Sequence, residues 1–249
     1  MERLRLEKIR PSVAQAAGPF FIEILERHAG DIHSLHIVGS SVTPDFREKG
    51  SDINSLVVLR GMDLSFIESL APLGKKYSKK GIAAPLIMTP DYIMTSLDAF
   101  PMEFLDFQLI HETVYGEDIL KELPIDKLHL RLQCEREVKS RLVGLRQGYL
   151  SSLGDRERVE ALLIRSITGC FPLFRAIIQL MGKVPPVQRA EVISSVRETA
   201  ALETDILERL LRLKSGDLRP SKEELNLIFE EHHGVLDRLA GFTDEIPQA

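Results

Sequence analysis

Tryptophan is absent from the 249 residues, and phenylalanine and tyrosine bring the aromatic share to only 6%. That leaves little from which to build the stacking platforms that hold single-stranded nucleic acid. An excess of positive charge is missing too. The formal balance is -5, so no global attraction to nucleic acid or anionic lipid is expected, and no nucleic-acid partner. Only two cysteines occur, Cys134 and Cys170. They lie far apart in helix-like stretches, fit neither a zinc spacing nor a disulfide scaffold, and read as buried free thiols. No uninterrupted apolar run approaches the roughly 18 residues that span a bilayer. Met1-Glu2-Arg3-Leu4 lacks the apolar core of a signal peptide. A cytoplasmic location without a membrane partner is the expectation. No internal repeat or low-complexity segment stands out.

What is present is an ordinary globular composition, 44% hydrophobic and 28% charged, enough for one or two domains with their own cores. Apolar residues at helical spacing (Phe20, Phe21, Ile24, Leu25) predict a helix over Pro11–His28, broken at Gly30-Asp31. Leu35–Val38 predicts a strand that runs into Gly39-Ser40. Ser55–Leu59 predicts a second strand, closed by Gly61. Leu64–Tyr77 reads as a helix ending in lysines. Pro85–Met88 predicts a third strand and Glu103–Phe107 a fourth, with a short helix or turn between Pro90 and Pro101. Tyr115–Asp118 reads as a turn in which Gly116 supplies an unusual backbone angle.

Past Leu123-Pro124 the texture becomes helical. Amphipathic patterns cover about 129–150 and, from an N-cap at Asp155, about 156–181. Two shorter patterns cover about 188–197 and 202–213. Ser221 and Glu224 have capping-box spacing and open a last helix to about Leu239. The fold class expected is α+β: residues 1–123 form a small mixed sheet flanked by helices, and 124–249 an all-helical bundle.

The chemistry concentrates at the end of the first strand. A strand ending in Gly39-Ser40, followed by Ser41, presents backbone N–H groups and hydroxyls at a tight turn. The glycine lets a bulky anion approach, as the phosphates of a nucleoside triphosphate require. Asp52 and Asn54 are two apart at the start of a strand, so their side chains share one face. Two oxygen ligands so placed suit Mg2+, which binds together with substrate phosphates.

Val38-Gly39-Ser40, the eleven residues 41 to 51, and Asp52-Ile53-Asn54 resemble the signature of the DNA polymerase beta-like nucleotidyltransferase superfamily. That signature is a small apolar residue and Gly-Ser, about a dozen residues, then Asp-apolar-Asp/Glu. The resemblance covers about residues 30 to 120, and the helical tail is similar to that of bacterial antibiotic and small-substrate nucleotidyltransferases. It implies a fold with a small mixed sheet and, as activity, Mg2+-dependent transfer of a nucleoside monophosphate from a triphosphate to a hydroxyl of a small molecule or protein. The helical domain would supply the acceptor site. By the same resemblance Gly39, Ser40 and Ser41 contact phosphate, and Asp52 binds metal. A third carboxylate comes from a later strand adjoining that of Asp52, with Glu103 preferred and Asp106 as its alternative. Asn54 departs from the pattern: its amide can ligate a hard cation but brings no charge.

Two functions from different classes follow. One is the nucleotidyltransferase, with Asp52 and Glu103 holding metal and Asn54 assisting. The other is a nucleotide- or partner-binding protein of regulatory or toxin–antitoxin type, silent in catalysis because of Asn54. The arginine-to-histidine helical motif of the ribonuclease-like partners of such proteins is not evident in residues 126 to 245. A homodimer is left open. Other features read as structural. Asp45 and Lys49 are solvated loop charges, Lys75, Lys76, Lys79 and Lys80 crown a helix end, and adjacent His232 and His233 diverge on a helix. Phe171, Phe174 and Leu180 are bundle core.

Overall fold

The computed structural model describes residues 3–48 and 50–247. Two compact units emerge, Met1–Leu97 with Phe104–Pro124, and Asp98–Glu103 with Ile125–Ala249.

The first unit begins with α1 (Pro11–His28), β1 (Ile32–Val38) and a 3₁₀ turn over Gly39–Val42. Then come β2 (Asn54–Leu59), α2 (Leu64–Tyr77), β3 (Leu86–Met88) and α3 (Pro90–Thr95). α4 (Pro101–Leu109) and β4 (His111–Gly116) complete it, α4 being divided between the two units. Pro11 stands at the start of α1, where its missing N–H costs nothing. The Asp63 side chain caps α2 by accepting from the Ser65 N–H at 2.9 Å. The sheet is mixed, in the order β3-β2-β1-β4. β1 is antiparallel to both β2 and β4, and β2 is parallel to β3.

One face of this sheet makes the core. Leu35, Ile37, Ile53, Val57 and Val114 pack with Phe20, Phe21 and Ile24 of α1 and Phe66, Leu70 and Leu73 of α2. Burying such side chains is worth roughly 1.5–3 kcal/mol each, the dominant favourable term.

A strand over Glu103–Phe107 is not what forms. That segment lies inside α4, and the fourth strand is His111–Gly116. Pro101 starts the helix. Met102, Phe104 and Leu105 are buried while Glu103 and Asp106 are half-buried, a helical rather than an alternating pattern.

The second unit is helical: α5 (Lys127–Ser152), α6 (Arg156–Leu180), α7 (Arg189–Ala200), α8 (Asp205–Ser215) and α9 (Lys222–Glu245). Asp155 caps α6 by accepting from the Arg158 N–H at 2.9 Å. Ser221 and Glu224 form the reciprocal capping box. α9 runs beyond Leu239 because Ala240 and Thr243 continue its buried stripe. The buried Arg131 also binds the carbonyls of Ile246 at 2.7 Å and Asp244 at 3.2 Å. α6 includes a stretch long and apolar enough to cross a bilayer, but more than half of that stretch is buried. It packs against α5, α7, α8 and α9 as the core helix of the bundle. Phe171 and Phe174 are buried there, with Leu180 half-buried at its end.

Candidate functional site

Ile53 belongs to the α1–α2 core. Its N–H donates to the Gly81 carbonyl at 2.8 Å, and its carbonyl accepts from the Ala83 N–H at 3.1 Å. With Ile53 fixed inward, Asp52 and Asn54 turn to the opposite face, and both are exposed. Asp52 makes no hydrogen bond or ion pair among the described residues, so its carboxylate is available to a ligand.

The Gly39-Ser40 turn adjoins this pair. Gly39 has φ +73°, and a Cβ built on it would lie 3.8 Å from Asn54 Nδ2. Val38 pairs with Asn54 across β2, so strand register brings the two halves of the motif side by side. The N–H inventory differs from the expected one. The Gly39 N–H donates to the Ile110 carbonyl at 3.1 Å, leaving those of Ser40 and Ser41 at the head of the 3₁₀ turn. The Ser41 hydroxyl is buried and donates to the Val38 carbonyl at 3.3 Å, so Ser41 offers a ligand only its backbone. Ser40 is half-buried, and its carbonyl holds the turn by accepting from Thr43.

Neither candidate for the third carboxylate stands on a strand. Glu103 belongs to the second unit, where it accepts from Gln133 Nε2 at 2.6 Å. Asp106 lies in the first unit, on the last turns of α4, and its carbonyl accepts from the Ile110 N–H at 2.9 Å. On β4 the residues that share a face with Asn54 are His111 and Thr113, whereas Glu112 pairs with Ile37 on the core side. The strand face where a carboxylate was expected therefore carries an imidazole and a hydroxyl.

A β-bulge decides this. Leu35 pairs with Tyr115 but His36 pairs with Thr113, so Val114 is the extra residue. A regular ladder would pair His36 with Val114 and send Thr113 and His111 to the core side. With the bulge, His36, Thr113 and His111 share one face, and the two imidazole rings lie 5.9 Å apart. Gly116, at φ +71°, then ends β4. The chain turns so that Asp118 Oδ1 lies 2.8 Å from His111 Nε2.

The surroundings of these groups are polar and closely paired. His111 Nδ1 faces the Phe107 carbonyl at 2.7 Å. His36 Nε2 meets Ser34 Oγ at 2.8 Å, and its Nδ1 meets Thr113 Oγ1 at 2.9 Å. Burial, reinforced by neighbouring His111, pushes His36 down to about 3, so its ring is neutral. Burial raises Asp118, but hydrogen bonds from His111 and Thr113 and the charge of His111 outweigh it and hold the carboxyl below its usual range. This cluster was not foreseen from the sequence. Its one local signal is that His36 precedes Val38 by two and so shares its face.

Lys76 pairs with Glu23, and Lys76 and Lys80 lie 5.0 and 5.1 Å from the centre of the Tyr77 ring. Lys49 lies outside the described residues, and the Asp45 N–H donates to Thr43 Oγ1 at 3.2 Å. His232 is buried against Ser166 at 2.8 Å, whereas His233 accepts from Arg146. Cys134 and Cys170 are free and buried, and burial pushes their thiols up to about 12 and about 11.

No family model matches the sequence, and no curated protein sequence matches it. Among solved structures the chain is similar to the spectinomycin adenyltransferase of Enterococcus faecialis crystallised with ATP and spectinomycin. The TM-score is 0.50 and the identity 16%, over 88% of this chain and 96% of that one. The shared property is the fold: a mixed four-stranded sheet with flanking helices and a largely helical C-terminal part, of the nucleotidyltransferase-like α+β kind.

Proposed function

We propose that the chain is a nucleotidyltransferase that transfers a nucleoside monophosphate from a triphosphate to a hydroxyl of a small molecule. One observation carries this reading: the Gly39-Ser40 turn abuts Asn54, with Asp52 exposed on the same face. The adenyltransferase of similar fold, seen with ATP and a small acceptor, supports the choice of substrate classes.

The donor set fits Mg2+. Asp52 supplies a carboxylate and Asn54 an amide oxygen, both hard ligands, and such an ion completes its shell with water and substrate phosphates. When bound, it would neutralise charge on the phosphates during in-line displacement. The Ser40 and Ser41 N–H groups would hold the outer phosphates while the acceptor oxygen attacks the α-phosphorus and pyrophosphate departs. Incubation with ATP, Mg2+ and a panel of hydroxylated aminocyclitols tests this. Acceptor-dependent pyrophosphate release supports it, and none with any acceptor or triphosphate rejects turnover.

A second reading has its own observation. The cross-strand row at the turn, Asn54–Val38–His111, holds an amide and an imidazole and no carboxylate. That favours nucleotide binding without transfer, distinguished by saturable triphosphate binding in the absence of pyrophosphate release.

A further inference from the structure

We infer that His36, His111 and Asp118 form a site for one divalent transition ion of the zinc type, with a coordination position open toward a neighbouring cavity. One ligand atom from each residue lies within 4.8 Å of the others. A tetrahedral ion with bonds of about 2.0 Å holds its ligand atoms roughly 3.3 Å apart, so modest side-chain movements complete the shell. Two imidazoles and a carboxylate select a borderline ion such as Zn2+ over Mg2+, which takes oxygen ligands.

The supporting contacts are those a metal-bound histidine requires. His111 has Nδ1 against the Phe107 carbonyl, which fixes the ring and points Nε2 at Asp118. His36 lies between two hydroxyls, and each has another partner. Ser34 Oγ also meets His33 Nδ1 at 3.2 Å, and Thr113 also bonds Asp118. Either ring nitrogen can thus turn to an ion without stranding a buried hydroxyl. Asp118 and Thr113 line a cavity of about 330 Å3 with Arg5, Glu7, Lys8 and Glu112. Three protein ligands beside a polar cavity match the pattern of a zinc site that keeps one position for water or substrate.

The ion would tie β1, β4 and the turn after Gly116 together, so binding should raise the melting temperature. The test uses the full chain, stripped with chelator and titrated with Zn2+ by calorimetry, and with Co2+ by visible absorption. One equivalent should bind, with the intense absorption of a four-coordinate cobalt centre. Asp118→Asn and His111→Gln should each weaken binding at least tenfold, while His233→Gln leaves it unchanged. Asp118 is partly exposed, so Asp118→Asn serves as the test even if His111→Gln misfolds, as circular dichroism would reveal. Absence of saturable binding, binding that survives Asp118→Asn, or binding lost with His233→Gln would overturn the assignment. The site stands apart from the nucleotide reading: Asp52→Ala should leave Zn2+ binding intact.

Discussion

Asn54 and His111 stand in one cross-strand row, because Val38 of β1 pairs with the first on one side and the second on the other. The proposed oxygen-donor site for nucleotide-bound metal and the proposed imidazole site thus share one sheet face, two strands apart. Their chemistries can be altered separately.

Restoring charge at the amide is the simplest test of the first site. Asn54→Asp should strengthen Mg2+-dependent triphosphate binding by about tenfold, since one added charge near a hard cation is worth roughly 1–2 kcal/mol at a surface site. The residue is exposed, so thermal stability should barely move. Calorimetry with and without Mg2+ reads the effect, and an unchanged affinity would remove Asn54 from the metal site.

Gly116 has no tolerated replacement. At φ +71° an added Cβ would lie 2.1 Å from the His33 carbonyl oxygen. Gly116→Ala should therefore destabilise the first unit by on the order of 3 kcal/mol, read as a fall in Tm. It should also disturb Asp118, two residues on.

How far the sequence speaks can be judged from such positions. α1 and α2 were legible to the residue because apolar stripes of helical period run through Pro11–His28 and Leu64–Tyr77. The capping box at Ser221 was equally local. The exchange of α4 for a strand arose because Phe104, Leu105 and Phe107 suit either state, and Pro101 was read as the end of the preceding turn. β4 hid behind its polar residues His111, Glu112 and Thr113. The histidine cluster lay beyond local reading altogether. His36 and His111 are 75 positions apart, and only a bulge at Val114 puts them on one face.

Acid should loosen the second unit through His232. Burial, with a lesser push from His233, lowers this ring to about 4 from an ordinary 6.5. The unfolded chain therefore binds the proton first, and stability falls as pH drops from about 6.5 to about 4, by roughly 3 kcal/mol. Above that window the group contributes no pH dependence. Urea unfolding followed by circular dichroism at pH 7 and 4.5 should show a smaller acid loss for His232→Leu than for the wild type. Equal losses would contradict this account. His36 acts with the same sign in the first unit, down to about 3.

The capping box offers a calibrated check on the bundle. Ser221→Ala removes the acceptor for the Glu224 N–H, a bond of 3.2 Å. It should cost about 1 kcal/mol in urea unfolding, without effect on nucleotide or zinc binding.

The most direct test of the central claim is calorimetric titration of the wild type and Asp52→Ala with each of the four nucleoside triphosphates in Mg2+. Asp52 is exposed, so its replacement should leave the fold intact. Saturable binding of at least one triphosphate by the wild type, abolished in Asp52→Ala, is the expected result. No binding of any triphosphate, or equal binding by both proteins, would contradict the nucleotide site at Gly39-Ser40 and Asp52.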